Sequence, residues 1–171
     1  YTAGFSVLPS NLDYGYSNLT NPDPYDPEEA MRILDEAGMV DTNGDGIREL
    51  DGKEIMLKYV TSPKRCLDTF AEAVQQPLTA VGIGVDLIIS DGAGQWDSYQ
   101  SGDFDINSSN WNTAATGDPC EYMNAWWGDC EADYCGYNNP EYNELFAKLQ
   151  TTYDDAQRKD IIQRLQQILI D

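Results

Sequence analysis

The sequence predicts an α/β fold in which a small mixed sheet is flanked by helices. Helix-type and strand-type patterns alternate along the chain, in the order helix, strand, helix, strand, helix, strand, helix, helix. Alternation of this kind is typical of helices packed on a sheet. The chain has 171 residues, 41% of them hydrophobic, which is enough to bury a core. We therefore expect residues 1–171 to form a single domain, and a partial one for reasons given below.

The net charge of the chain limits its partners. The chain has 30 acidic and 10 basic side chains, which gives a formal net charge of −20 at pH 7. A surface of this sign repels phosphate backbones and anionic lipids, and no basic stripe offsets it. We therefore expect no nucleic-acid partner and attribute the excess charge to solubility.

The first helix is predicted from its capping residues. Residues 1–25 show no periodicity and are rich in Tyr, Asn, Pro and Ser, so we expect an irregular segment there. Asp26 can cap a helix that begins at Pro27, and the glutamates that follow favour the positive end of the helix dipole. An apolar stripe at helical spacing is predicted to face the core, and it comprises Ala30, Ile33, Leu34 and Ala37.

The middle of the chain is predicted to alternate between strands and helices. Alternating apolar residues predict strands over 55–60, 85–89 and 103–110. A helix is predicted over 64–81, where Pro77 is expected to kink or split it. A short helix is predicted over 95–100. The core stripe of the 64–81 helix is expected to be Leu67, Phe70, Val74, Leu78 and Val81.

Two helices are predicted to close the chain after a long loop over 111–137 that is rich in aromatic residues and cysteines. Asn139 caps the first of these helices, and the second begins near Asp154. Their core stripes are predicted to be Tyr142, Leu145, Phe146 and Leu149, then Ile161, Leu165, Ile168 and Leu169. The chain begins abruptly and no strand follows its last helix, so we expect it to be excised from a larger protein.

The four cysteines indicate an oxidising compartment. Three of them, Cys120, Cys130 and Cys135, lie close together, without CxxC spacing and in a chain that lacks histidine. A zinc site would therefore need all four thiolates without the usual spacing. One disulfide among these three is predicted, and Cys66 is the fourth cysteine. The alternative is four reduced, partly buried thiols.

An acidic loop follows the first helix and has the pattern D-x-N-x-D-G-x-x-E. Oxygen donors at alternate positions can converge on a hard cation while glycine makes the turn. We therefore expect one structural Ca²⁺, with the donors Asp41, Asn43, Asp45, Ile47 through its backbone oxygen, and Glu49. Position 12 of the pattern is Gly52 and not glutamate, so Glu49 or Asp51 would have to replace that ligand. The alternative is that the Asn-Gly and Asp-Gly pairs only shape a turn.

Several segments in register together resemble a known family. They lie at 25–30 (YDPEEA), 33–38 (ILDEAG), the acidic loop, 51–53, 76–83, 102–106, 138–142 and 152–169. In this order they resemble the large lobe of oligopeptide-, dipeptide- and nickel-binding proteins, family 5 of the extracellular solute-binding proteins. The resemblance covers about residues 22–171.

The resemblance implies both a fold and a role. It implies the C-terminal lobe of a two-lobed, periplasmic-binding-protein-like fold of type II, which closes on a solute without chemistry. It further implies a monomeric protein outside the cytoplasm, periplasmic or on the cell surface, with a lipid anchor. Its partners would be a small solute, a peptide or a sugar-like molecule, and the permease of an ABC importer.

The resemblance also suggests where the solute lies. In peptide-binding members the third strand ends in a tryptophan, and an aspartate three residues later takes the peptide's ammonium group. Trp111 matches that tryptophan, but the later position is Ala114, and Asp118 resembles the family's Gly-Asp-Pro turn. Neutral groups and stacking faces favour sugars, modified peptides or amide-rich ligands. The predicted ligand-binding residues are Asn110, Trp111, Asn112, Thr113, Asp118, Trp126 and Trp127. Packing beneath a loop is the alternative for the paired tryptophans.

Two other function classes compete with this interpretation. A carboxylate-based glycoside hydrolase would need two acids at a set separation, which sequence cannot establish, and the chain has no histidine, GxSxG motif or phosphate-binding glycine loop. We therefore predict that the chain is not an enzyme. A calcium-dependent extracellular structural or adhesion module would explain the acidic loop and the cysteines, but not the segments that resemble family 5.

Overall fold

The computed structural model describes residues 6–128 and 136–171. The chain forms two compact units. The sheet unit is Tyr25–Asn110, and the helical unit combines the described residues of Tyr1–Pro24 and Trp111–Asp171. The sequence did not predict this division into two units.

The elements alternate largely as expected. In the sheet unit they are α1 (Pro27–Glu36), β1 (Glu49–Leu50), β2 (Lys53–Glu54), β3 (Met56–Thr61), α2 (Leu67–Ala80), β4 (Gly84–Ile89), α3 (Gly92–Ser101) and β5 (Ile106–Asn107). In the helical unit they are α4 (Cys120–Met123), α5 (Pro140–Thr151) and α6 (Asp155–Ile170). Short 3₁₀ turns lie at Tyr16–Asn18, Lys64–Cys66 and Asn124–Trp126. None of the helices within 6–128 and 136–171 has both the length and the apolar character needed to cross a bilayer.

A three-stranded parallel sheet forms the centre of the sheet unit. Its strand order is β4-β3-β5, and β3 pairs with β4 along its whole length, with Tyr59 opposite Leu87. The crossover helix α2 packs against both strands, as a parallel pair requires. The buried hydrophobic residues of this unit are Tyr59, Val60, Ala71, Val81 and Ile83.

Two predicted core stripes in the sheet unit contain exposed residues. Ile33 on α1 is 53% exposed and Phe70 on α2 is 60% exposed, whereas the neighbouring Ala71 is buried. Each of the ten residues of α1 is at least partly exposed. An amphipathic pattern identifies the apolar face of a helix, but it does not determine whether another element covers that face. Both residues were therefore wrongly assigned to the core.

Three local predictions can be compared with the structure in detail. The acidic loop leads into an antiparallel hairpin of β1 and β2, in which Asp51 and Gly52 adopt positive φ values and reverse the chain. Helix α2 is continuous through Pro77, which excludes a split helix, whereas a kink stays a prediction. The third strand is shorter than 103–110, since only Ile106–Asn107 pair with β3.

The helical unit has the largest hydrophobic cluster. Asn139 and Asp154 accept hydrogen bonds from the backbone amides of Tyr142 and Gln157 and so cap α5 and α6. The cap at Asn139 and the start of the last helix near Asp154 were predicted. The buried side chains of the cluster are Leu8, Met123, Tyr142, Phe146, Leu149, Ile161, Ile162, Leu165 and Ile168. The predicted stripes of both helices are therefore confirmed in their main members.

The N-terminal segment is held against α6 by one buried amide. Gln166 is fully buried. Its Nε2 donates to the backbone oxygen of Tyr14 at 2.9 Å, and its Oε1 accepts from the hydroxyl of Ser6 at 2.9 Å. Since a buried amide must be hydrogen-bonded, these contacts fix the path of a segment that lacks regular structure.

Candidate functional site

An aromatic cluster in the 111–128 segment comprises Trp111, Tyr122 and Trp126, and we call it the aromatic platform. Tyr122 and Trp126 are half-buried and pack against the hydrophobic cluster of the helical unit. The ring of Trp111 is tilted on that of Tyr122 with centroids 6.5 Å apart, and the rings of Tyr122 and Trp126 are nearly perpendicular with centroids 4.9 Å apart. Trp111 is 54% exposed. The predicted stacking residue therefore presents a free ring face and has aromatic support beneath it.

The short helix α4 supports the platform, and the sequence did not predict it. The 111–137 segment was expected to be one long loop, but residues Cys120–Met123 form a helical turn and Asn124–Trp126 a 3₁₀ turn. Tyr122 lies on the first turn and Trp126 on the second. Pro119 precedes the helix, and Asp118 accepts a 2.9 Å hydrogen bond from the backbone amide of Cys120. These two residues are the signals that could have identified it.

Asp118 is engaged in a structural contact. Besides the amide of Cys120, its carboxylate accepts from the guanidinium of Arg158 on α6. Arg158 is 19% exposed, and its other donors reach the backbone oxygens of Leu149 at 2.9 Å and Thr152 at 2.8 Å. Asp118 therefore joins the 111–128 segment to the end of α5 and the start of α6.

A surface cavity of about 480 Å³ adjoins this ion pair. Its lining includes Tyr14, whose hydroxyl donates to the backbone oxygen of Gly117 at 2.7 Å. Burial, followed by the nearby Asp118 carboxylate, raises the pKa of Tyr14. The two cations that line the cavity, Arg158 and Lys159, are ion-paired with Asp118 and Asp13.

The remaining predicted ligand residues differ in their surroundings. Trp127 packs on the buried Phe146 with centroids 5.5 Å apart and adjoins the hydrophobic cluster, which matches the packing alternative. Asn112 is exposed and Thr113 half-buried, and both directly follow Trp111. Asn110 is exposed and is the last residue of the sheet unit.

Sequence reasoning missed a group of polar residues where the parallel strands end. Thr61 and Ser62 are fully buried at the end of β3, and Asn107 ends β5. Their side-chain atoms Oγ1, Oγ and Nδ2 have no hydrogen-bond partner in the part of the chain that the structure describes. Ligands of open α/β sheets bind at the carboxyl ends of the parallel strands. The location of these residues at the ends of predicted strands is the sequence signal that could have identified them.

The acidic loop is ordered by its own backbone amides. Asp41 accepts from the amides of Gly44 at 2.6 Å and Gly46 at 2.8 Å, and these bonds lower the pKa of its carboxyl. Asp45 accepts from the amide of Ile47 at 2.8 Å and from the side chain of Asn43 at 3.0 Å.

Glu49 is the buried member of the predicted donor set. It is 8% exposed and accepts from the amide of Thr42 at 2.7 Å. Within 6–128 and 136–171 no three acidic or cysteine side chains are grouped so that they could hold a metal ion. Each carboxylate oxygen of the loop retains a second lone pair with which a cation could be bound. Calcium binding therefore stays a prediction, and its donors would include the side chain of Asn43 and the backbone oxygen of Ile47.

The predicted disulfide is not formed through Cys120. Cys66 and Cys120 are free thiols, and burial, followed by the Asp118 carboxylate, raises the pKa of Cys120. Cys130 and Cys135 lie outside the described residues. A bond between those two stays a prediction.

Comparison with known proteins agrees with the resemblance seen in the sequence. The family model described as bacterial extracellular solute-binding proteins, family 5 Middle, matches residues 1–134. The oligopeptide-binding protein AppA of Bacillus subtilis is 28% identical over 136 residues, which are 78% of this chain and 25% of AppA. The chain therefore spans about a quarter of the length of this curated relative.

Solved structures extend the match to nearly the whole chain. An oligopeptide-binding protein of Thermotoga maritima, solved with mannohexaose bound, is 28% identical with a TM-score of 0.82, covering 99% of this chain and 34% of that one. AppA in complex with a nonapeptide matches over the same shares with a TM-score of 0.82 and 22% identity, which supports the fold. The fold is that of type II periplasmic binding proteins, and the chain belongs to family 5 of the bacterial extracellular solute-binding proteins.

Proposed function

We propose that this chain forms part of the solute-capturing component of an ABC importer, which holds a peptide or sugar-like solute outside the membrane without changing it chemically. Membership of an extracellular solute-binding family supports this proposal. It also favours a binding protein over an adhesion module or a glycoside hydrolase. Closure of two lobes around the solute, a lipid anchor and a permease partner belong to the same proposal.

The aromatic platform is the observation that carries the proposal. An indole ring that is more than half exposed and backed by two further aromatic rings offers a rigid apolar face. Stacking on such a face binds a sugar ring or a planar peptide group with little loss of side-chain entropy. Trp111 is therefore proposed as the residue on which the solute stacks.

The groups beside Trp111 indicate a neutral ligand surface. Asn110, Asn112 and Thr113 carry amides and a hydroxyl, which hydrogen-bond without charge. The nearest carboxylate along the segment, Asp118, is already paired with Arg158. With Asp118 already paired, the groups beside Trp111 suit the uncharged parts of a solute.

The solute is proposed to be buried only when a second lobe covers the platform. One exposed ring contributes a modest part of a binding free energy, because affinity comes mainly from fully desolvated contacts. The chain spans 34% of the mannohexaose-binding relative. The measurements below therefore use the full-length protein.

Calorimetric titration of the full-length protein with mannohexaose and with a nonapeptide tests the proposal. These two probes are the ligands found in the related structures. Trp111→Ala should weaken binding of the active probe by about ten- to hundredfold, since it removes a central stacking contact.

Trp96→Ala is the matched control for this titration. Trp96 is also exposed, at 43%, and also contacts another aromatic ring, Tyr99 at 5.5 Å, but it lies on α3 of the sheet unit. Its replacement should leave the affinity unchanged. An affinity that is insensitive to Trp111→Ala would remove the platform from the proposed binding site.

A further inference from the structure

We propose that Arg158 is a positioning residue for the aromatic platform, acting on Trp111 through Asp118 and helix α4. Arg158 would affect solute binding through a series of contacts within the helical unit. The expected effect of Arg158 on solute affinity rests on the proposed function. The expected effect of Arg158 on the Trp111 ring does not.

Three hydrogen bonds to oxygen atoms hold Arg158 in one orientation, and its guanidinium also contacts the side chain of Cys120, the first residue of α4. Two of its hydrogen bonds go to the backbone oxygens of Leu149 and Thr152, where α5 ends, and the third goes to Asp118. A planar guanidinium with fixed donor directions is suited to such a triple contact, and it loses little freedom on binding. Arg158 is also mostly buried, so water competes weakly for these bonds.

Asp118 links Arg158 to the first residue of α4. One carboxylate oxygen accepts from Arg158, and the other accepts from the amide of Cys120, the first residue of α4. A helix as short as Cys120–Met123 has little intrinsic stability, since nucleation is costly. Its direction is therefore set by tertiary contacts such as this one.

Helix α4 carries the ring that supports Trp111. Tyr122 lies in the middle of α4 and contacts Trp111 on one side and Trp126 on the other. A rotation or unfolding of α4 would move Tyr122 and so change the tilt and the exposure of Trp111. The far end of α4 is fixed separately, by a 2.7 Å hydrogen bond from Tyr142 to the oxygen of Met123.

Arg164 provides a matched control on the same helix. It pairs with Glu141 on α5 through two hydrogen bonds of 2.7 and 3.0 Å. It therefore also links α6 to α5, but its partner lies outside the 111–128 segment. Arg164→Ala removes an ion pair between α5 and α6 but keeps the contact between Arg158 and Asp118.

The first experiment reads the Trp111 ring directly and needs no ligand. The full-length protein is labelled with 5-fluorotryptophan, and the resonance of Trp111 is assigned with Trp111→Phe. Arg158→Ala should shift or broaden that resonance while leaving the Trp96 resonance in place, whereas Arg164→Ala should move neither. An unchanged Trp111 resonance in folded Arg158→Ala would overturn the inference.

The second experiment measures affinity by a double-mutant cycle. The probe is mannohexaose or a nonapeptide, whichever binds the wild type, at a temperature where all variants are folded. Arg158→Ala should weaken binding by about tenfold, and it should have no further effect in the Trp111→Ala background, because coupled residues are not additive. Asp118→Asn keeps an acceptor for Cys120 but loses the charge pair, and an intermediate loss is expected.

The outcomes separate this inference from the proposed function. Equal losses from Arg158→Ala with and without Trp111 would overturn the inference and leave the platform intact. No effect of Trp111→Ala on affinity would instead remove the platform from the proposed binding site, while the fluorine resonance still decides the positioning role. If Arg158→Ala does not fold, the fluorine resonance of Trp111 and the solute affinity are measured in Asp118→Asn instead.

Discussion

The hydroxyl of Tyr142 on α5 donates a buried hydrogen bond of 2.7 Å to the backbone oxygen of Met123, the last residue of α4. Both residues are fully buried in the hydrophobic cluster. Burial raises the pKa of Tyr142, so the hydroxyl remains a neutral donor at ordinary pH. This bond makes the end of α4 part of the core of the helical unit.

Tyr142→Phe should therefore destabilise the protein by about 0.5–1.5 kcal/mol, because it removes a buried hydrogen bond. Urea unfolding followed by circular dichroism measures this change. Tyr153→Phe is the control, since Tyr153 is 89% exposed, and it should change stability little. Equal stability of the wild type and Tyr142→Phe would mean that water or another donor satisfies Met123.

Stability should depend on the Asp41 carboxylate in a defined pH window. Hydrogen bonds from the amides of Gly44 and then Gly46 lower the pKa of Asp41 in the folded state. A depressed folded pKa means that the carboxylate stabilises the fold above its unfolded pKa of about 4, and that this contribution is lost as the pH falls through the folded pKa.

The unfolding midpoint of Asp41→Asn should accordingly lie below that of the wild type near neutral pH, and the gap should close at acid pH. Thermal unfolding over a pH series measures the gap. Glu72→Gln, on the exposed surface of α2, is the control and should show no such convergence. A gap that is constant with pH would contradict the role given to the ionised Asp41.

Salt should stabilise the protein. A net charge of −20 on 171 residues opposes compaction through self-repulsion, and added ions screen that repulsion. The unfolding midpoint should rise steadily as sodium chloride is increased from about 10 mM to about 1 M, over which the Debye length falls from about 30 to 3 Å. A midpoint that is flat or falling over this range would contradict the charge argument.

Calcium should stabilise the protein beyond this screening effect if the sequence prediction for the acidic loop is correct. Binding to the folded state alone raises the unfolding midpoint with ligand concentration. The expected result is a higher midpoint in calcium chloride than in magnesium chloride at equal ionic strength, reversed by a chelator and absent in Asp45→Ala. A midpoint that responds to neither calcium nor chelator discards the metal site.

The parts of the fold that sequence predicted are those governed by local interactions. The caps at Asp26 and Asn139 lie where expected, because a cap depends on a side chain and the amides two or three residues later. The strands around Tyr59 and Leu87 were also predicted, since their alternation matches the two faces of a sheet. Exposure of Ile33 and Phe70 was not predictable, because it depends on which elements pack against them.

The candidate site was predicted in part. Trp111 was identified from the sequence, and the structure adds the ring of Tyr122 beneath it. The ion pair between Asp118 and Arg158 joins residues 40 positions apart, and no local pattern signals such a contact. The four residues of α4 were too few to show helical periodicity.

We propose that the full-length protein traps a solute by closing around this chain's surface. X-ray scattering from the full-length protein, with and without a saturating peptide or oligosaccharide identified by thermal shift, measures that closure. We expect saturable binding with a fall in the radius of gyration, and recovery of the solute unchanged. A full-length protein that binds no member of either panel, or that binds with no change in dimensions, would contradict it.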